Sequence, residues 1–259
     1  MSTYVFSDVH GHRATLERAL MRVSPAADDR LVCLGDMVDR GPDPVGVLRV
    51  VRGLPGAVAL MGNHEDLMLS CLDAQDDTLA ALNWAINGGA TTSEGLAQLR
   101  ADELEDLLAW VRSCPRATSA HVGERRYLLV HAGVDLAAPE PAVWDDESVD
   151  AYLAAQSVED LTWIREEFWG AERGLSGRDG SGPVVVAGHT PTPYLERMAS
   201  SLDRPAVGDD GLARMVRVGE RRDRWDVDCG AAGGAGYGQV LILRLDDGEE
   251  FYEPVREGE

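Results

Sequence analysis

Asp8 and His10 stand one residue apart in SDVHGH, directly behind the apolar stretch TYVF. A strand ending there carries a carboxylate and an imidazole at its tip. Four more motifs place similar groups behind other apolar runs: GDMVDRG (35–41), GNHE (62–65), VHAG (130–133) and GHTP (188–191). Together they supply Asp8, His10, Asp36, Asn63, His131 and His189. Oxygen and imidazole donors without a thiolate form a set suited to divalent metal ions. Asp36, expected on a central strand, can offer one carboxylate oxygen to each of two ions. Asp8 and His10 then complete one site, and Asn63, His131 and His189 the other. Two cations about 3.5–4 Å apart stabilise the attacking and leaving oxygens of a phosphoryl displacement. Water held between them has its pKa lowered toward neutrality and becomes the expected nucleophile.

The neighbouring residues fit the rest of that chemistry. His64 follows Asn63 and points elsewhere, so it can protonate a leaving alkoxide. Asp39 can hold that imidazole by a hydrogen bond. Arg40 offers a planar fork to two phosphate oxygens. Arg165, in LTWIREEF (161–168), is the candidate for a second phosphate arginine, against the plainer reading of an ion pair with a neighbouring Glu. Taken singly, GNHE reads as a turn before a helix, and VHAG and GHTP as structural histidines. The order of five such motifs, each closing an apolar run, points to one site.

Elements able to position these tips are legible as well. Runs bounded by turn residues predict strands at 4–8, 30–36, 57–63, 126–133, 183–189, 224–230, 239–245 and 249–255. Helical patterns lie at 12–23, 42–54, 65–74, 78–86 and 101–114, the second opening with Pro in its first turn. Alternating strands and helices indicate an α/β fold, in which functional groups gather at the carboxyl ends of the strands. The stretches 170–183 and about 200–224 read as loose. Arg214, Arg217, Arg221, Arg222 and Arg224 are expected as solvated surface or an exposed hairpin, or as a site for an acidic partner. DCGAAGG (228–234) reads as a tight turn rather than a loop at the metal centre. NGGATT (87–92) reads as a rim over the metals or a helix C-cap. His12 and His121 are expected at the surface, His12 close enough to the site to touch substrate.

Among the 259 residues, 45 Asp and Glu outweigh 24 Lys and Arg, a net charge of −21. Such a surface repels the phosphate backbone, which excludes nucleic acid as the expected partner. No stretch reaches the roughly 20 apolar residues needed to span a bilayer, so no membrane role is expected. Cys33, Cys71, Cys114 and Cys229 form no C-x-x-C pair and read as reduced thiols of a cytosolic protein.

In this order, DVHG, GDMVDRG, GNHE, VHAG and GHTP resemble the signature of the PPP metallophosphoesterase family. That family includes serine/threonine protein phosphatases, small bacterial and phage protein phosphatases, and symmetrical diadenosine tetraphosphate hydrolases. The resemblance runs over about residues 4 to 245. It implies an αββα sandwich of the calcineurin-like type over a single domain, residues 1–259, with two divalent metal ions, Mn²⁺ foremost and Fe, Zn, Co or Ni accepted by the same ligands. It implies the same ligand split, with Asp39 and His64 as the acid pair, Arg40 on phosphate, and Arg165 matching through the softer W-I-R-x-x-F. A phosphorylated protein or peptide is the expected substrate, because Glu65 stands where the dinucleotide hydrolases more often carry Asp. A dinucleoside polyphosphate is the alternative, and a phosphate or nucleotide sensor without turnover a further one.

Overall fold

The computed structural model describes residues 1–74, 77–177 and 180–259. Arg178 and Asp179, in the stretch read as loose, lie outside the described residues. Among the described residues, ten strands form two five-stranded sheets. The first has the order β10 (Glu250–Pro254), β9 (Gln239–Arg244), β1 (Thr3–Phe6), β2 (Arg30–Cys33), β3 (Val58–Ala59). The second runs β4 (Ala117–Val122), β5 (Arg125–Val130), β6 (Val184–Ala187), β8 (Arg224–Asp226), β7 (Val216–Val218). In each sheet the central strands are parallel: β1 with β2 and β2 with β3, then β5 with β6 and β6 with β8. Their carboxyl ends therefore open on the same edge, which is where the five motifs begin.

Helices cover the outer faces. α1 (Arg13–Val23), α2 (Pro44–Gly53), α3 (Asn63–Asp73), α4 (Thr78–Ile86), α5 (Ala90–Leu96) and α6 (Ala101–Ser113) follow the first sheet. α7 (Asp146–Ala154), α8 (Val158–Trp163), α9 (Glu166–Trp169) and α10 (Leu195–Met198) lie with the second. Three apolar layers separate these shells. Phe6, Leu16, Met37, Leu48, Met68 and Ile242 pack under the first helical layer. Val5, Val32, Leu34, Leu129, Val186 and Leu241 fill the space between the sheets. Leu128, Val185, Phe168, Trp169 and Leu195 pack under the second helical layer. The alternation of Val5 and Phe6, or of Leu128 and Leu129, into different layers is the period-two consequence of strands buried on both faces. This is the αββα sandwich that the motifs implied.

Where local sequence is decisive, the elements match expectation. α4 spans its predicted residues, with Asp77 accepting from Leu79 and Ala80 N–H at its start. α2 opens at Pro44, and Asp43 caps it through Gly46 N–H. β4, β7 and the helices α5 and α7 to α10 are additions to the sequence reading. β4 is mostly half-buried with His121 exposed, and β7 has three residues. Both are too short or too mixed to stand out as apolar runs.

Two expectations are corrected. His12 is 5 % exposed, not a surface residue, because the far end of the chain closes over it at Glu259. His121 does lie exposed on β4. The arginines of 214–224 are not one solvated cluster. Arg217 lies over the Trp225 ring and pairs with Asp203 and Glu250. Arg214 pairs with Asp210 and sits over Tyr252. Arg224 is fully buried and donates to the carbonyls of Phe168, Trp169 and Ala171. It ties β8 to the turn after α9. The four cysteines are free, with Cys33 and Cys229 buried.

Replacing Arg224 by Met leaves three carbonyls without their donor, each loss worth about 1–3 kcal/mol. The expected result is destabilisation of about 3 kcal/mol in urea unfolding. A loss below about 1 kcal/mol would show that water takes over those carbonyls.

Candidate active site

The site is assembled by backbone hydrogen bonds between strand-end loops. Asp8 N–H donates to Gly35 O at 3.1 Å, His10 N–H to Asp36 O at 2.9 Å and Gly11 N–H to Met37 O at 3.0 Å. In the second sheet Gly188 N–H donates to His131 O at 2.7 Å. The two sheets are joined at the site by His189 N–H, which donates to Asp8 Oδ2 at 2.9 Å. This packing imposes unusual backbone. Asp8, His10, Asp36, Asp39, Arg40 and His189 all have φ between 45° and 70°. Only Ser24 and Arg222 share that left-handed region among the described non-glycine residues. Strain of this kind, about 1–2 kcal/mol per residue, persists where surrounding contacts over-determine it and gathers at functional sites.

Asp36 lies at the centre. Its Oδ2 is 3.5 Å from His10 Nε2, and its Oδ1 is 3.4 Å from His131 Nε2. It is shared by two groups of side chains whose ligand atoms converge closely enough for a metal ion: His10, Asp36 and His64, and Asp36, His131 and His189. Asn63 Oδ1 sits 2.9 Å from both His131 Nε2 and His189 Nδ1, inside the second group. Asp8 faces the first group, with Oδ1 4.0 Å from His10 Nε2. The six residues read as ligands are thus brought together, and His64 Nε2 lies beside them, 3.9 Å from Asp36 Oδ2.

The donor set fits divalent cations. Burial first, then the charges of His64 and Arg40, holds the His10 imidazole well below its usual range. Burial likewise lowers His131 and His189, the latter strongly. Neutral rings present lone pairs. His10 Nδ1 lies 2.9 Å from Val38 O and His131 Nδ1 3.0 Å from Leu34 O. Donation to those carbonyls leaves Nε2 of each ring as the free ligand atom. Burial pushes the Asp36 carboxyl well above its usual range. Space is reserved too, since a Cβ on Gly62 would fall 2.2 Å from Asp36 Oδ1.

His64 Nδ1 is 2.6 Å from Asp39 Oδ2, and its Nε2 is 2.9 Å from Arg40 Nη2. One nitrogen cannot both accept from Arg40 and deliver a proton. A phosphate that draws the guanidinium away would free it. Arg165 is half-buried at the start of α9 and donates to Thr190 Oγ1 at 3.4 Å. Among the described residues it forms no ion pair with a neighbouring Glu. Its contact with Thr190, the residue after His189, places it beside the site.

Several contributors escaped sequence reading. Glu65 is fully buried, and its carboxylate accepts from the N–H groups of Asp36, Met37, Val38 and Gly62 at 2.8–3.2 Å. It therefore sits behind the donors, and its identity cannot report substrate by contact. Asp226 and Asp228 lie buried behind Asp8, both raised well above the usual range, first by burial. The acids alternating in WDVDC were the available signal. NGGATT caps α4 as one of its two readings expected, with Asn87 as the C-cap and Gly88 at φ 101°, and it then opens α5 and carries Thr92 to Asp39. DCGAAGG forms a short 3-10 turn over Ala231–Gly233, but its first residue approaches the site.

The model of the calcineurin-like phosphoesterase family matches residues 1–221. A symmetrical bis(5'-nucleosyl)-tetraphosphatase of Methylococcus capsulatus is 32% identical over 192 residues, covering 70% of this chain and 60% of its own length. Serine/threonine-protein phosphatase 2 of Salmonella typhimurium is 24% identical over 200 residues, covering 77% and 84%. This chain thus spans less than two thirds of the tetraphosphatase. In fold, the metallophosphoesterase from Sphaerobacter thermophilus superposes with a TM-score of 0.51 at 19% identity, covering 99% of this chain and 89% of that one.

Glu65→Gln would turn an amide N–H₂ toward backbone donors. We expect metal affinity to fall about 10–100-fold, the usual effect of losing an outer-shell partner, in a Mn²⁺ titration. Unchanged affinity would show that the turn holds its shape without the carboxylate.

Proposed function

We propose that the chain, which belongs to the calcineurin-like phosphoesterase family, is a metal-dependent phosphoesterase acting on phosphorylated serine or threonine in a protein or peptide. The observation that carries the reading is Asp36, whose two oxygens face two separate donor groups beside the His64–Asp39 pair and Arg40. Asp8, His10 and Asp36 would hold one divalent ion, and Asp36, Asn63, His131 and His189 the other. Mn²⁺ is the metal we favour. When bound, such ions neutralise phosphoryl charge and activate water as a nucleophile.

The chain's own groups do the rest. Arg40 and Arg165 hold the non-bridging oxygens. Once Arg40 has moved onto phosphate, His64 Nε2 takes up a proton from solvent, and the doubly protonated ring gives that proton to the leaving oxygen. Asp39 keeps the ring oriented through Nδ1. With water as nucleophile, no phosphoenzyme forms. Residues 1–259 act as one domain in this reading.

The match to Salmonella phosphatase 2 over most of its length supports the phosphoprotein reading. The higher identity to the Methylococcus tetraphosphatase favours a second one, cleavage of a dinucleoside polyphosphate at the same site. The net charge of −21 supports neither nucleic acid nor a polymeric nuclease substrate. No helix among the described residues is long and apolar enough to cross a membrane. Four free thiols suit a cytosolic setting.

The direct test is phosphate release by Mn²⁺-loaded protein from a phosphothreonine peptide and diadenosine tetraphosphate side by side, each with an EDTA control. We expect faster, EDTA-sensitive turnover of the peptide. Preference for the dinucleotide, giving ADP, would move the assignment to the second reading. No turnover of these or of an aryl phosphate would leave a sensor and overturn the enzyme. Asp36→Asn should lower turnover at least about 100-fold and weaken metal loading. His64→Asn should keep metal content and slow poor leaving groups by about 10²–10⁴-fold. Equal slowing of activated aryl phosphates would refute the acid role.

A further inference from the structure

Asp39 and Arg40 are two consecutive residues in the left-handed region, with φ of 70° and 68°. Neither is glycine, and each such residue costs about 1–2 kcal/mol unless its surroundings compensate. The compensating contacts come from one segment, residues 84–92. Thr92 Oγ1 accepts from Asp39 N–H at 2.8 Å and donates to Asp39 Oδ1 at 2.6 Å. Gly88 O accepts from Arg40 N–H at 3.1 Å, and Asn87 O from Arg40 Nε at 3.4 Å. Trp84 Nε1 donates to both oxygens of Asp39, at 3.0 and 3.1 Å. Thr92 and Trp84 are 0 % and 5 % exposed. The indole is itself clamped, since a Cβ on Gly89 would come within 2.5 Å of its Nε1.

The donors on Asp39 are therefore fully allotted. Thr92 holds Oδ1, the indole straddles both oxygens, and Oδ2 remains for His64 Nδ1 at 2.6 Å. A hydroxyl that accepts from the backbone of a residue and donates to its side chain fixes both at once. Without it the carboxylate can rotate about its Cα–Cβ bond.

We propose that Thr92 and Trp84 are positioning residues for the proposed acid: they lock the Asp39 carboxylate onto His64 Nδ1. The inference rests on the reading of His64 as the group that protonates the leaving oxygen. Neither residue touches substrate. Their effect is confined to the proton-delivery step and scales with how much the leaving group needs a proton. An alkoxide from threonine needs it; an aryl oxide of low pKa does not.

The test uses full-length protein. Thr92→Val removes the hydroxyl at nearly constant volume, and Thr92→Ser keeps it. For Thr92→Val we expect kcat on a phosphothreonine peptide to fall about 10-fold or more, with KM and metal content held. On p-nitrophenyl phosphate the loss should stay under about threefold. Thr92→Ser should restore most of the peptide rate. In the zinc-loaded, diamagnetic protein, the downfield proton of His64 Nδ1–H should move upfield or broaden in Thr92→Val and persist in Thr92→Ser. That signal reads the geometry whether or not the protein turns over either substrate, so failure of the enzymatic reading is distinguished from failure of this one. An unmoved resonance in Thr92→Val, equal losses on both leaving groups, or no restoration by serine would overturn the proposal.

Discussion

The Glu65 carboxylate is the contact on which the site depends. Four backbone N–H groups converge on it, three from the turn after β2 and one from the residue before α3. Burial pushes its pKa up, while the hydrogen bonds from Gly62, Asp36 and Met37 oppose the shift. One side chain thereby fixes the loop bearing Asp36, Asp39 and Arg40 against the helix start bearing Asn63 and His64. The register between two strands becomes the register between two donor groups. That a carboxylate does this, rather than a backbone carbonyl, follows from number: two oxygens offer about four lone-pair sites, and four donors are present.

The consequences spread outward through strain and charge. The turns that Glu65 anchors hold residues at φ values that L side chains avoid, and the loops hydrogen-bond one another to keep them there. What emerges is a buried pocket of neutral imidazoles and carboxylates without enough cationic side chains to balance them. Arg40 is exposed and Arg165 half-buried, both at the rim. An interior with that composition is stable only with bound cations or with its carboxylates protonated. The phosphoesterase reading is the chemical use of that imbalance. In that reading the cations that relieve it would also attract a phosphate, and the two rim arginines would meet its outer oxygens.

Much of this was legible in the sequence, for a physical reason. Parallel strands buried on both faces leave continuous apolar runs, and the residues just past them must sit at one sheet edge. Asp8, Asp36, Asn63, His131 and His189 could be placed by that rule alone. What stayed hidden was long-range or sideways. His12 is buried by Glu259, from the opposite end of the chain. Arg224 is buried because three carbonyls near Ala171 face inward, which no local pattern records. α5 opens on small residues after two glycines, a poor helix signal, yet it delivers Thr92 to Asp39. Glu65 was visible, but its grip on four backbone donors was not, because a linear motif does not say which way a side chain points.

The central claim is that two divalent cations share Asp36. Crystals soaked in Mn²⁺ and measured by anomalous diffraction test it most directly. The account predicts two peaks about 3.5–4 Å apart, one on each side of the Asp36 carboxylate. The first should touch His10 and Asp8, the second Asn63, His131 and His189. A single peak, or two peaks that leave Asp36 unshared, would contradict it.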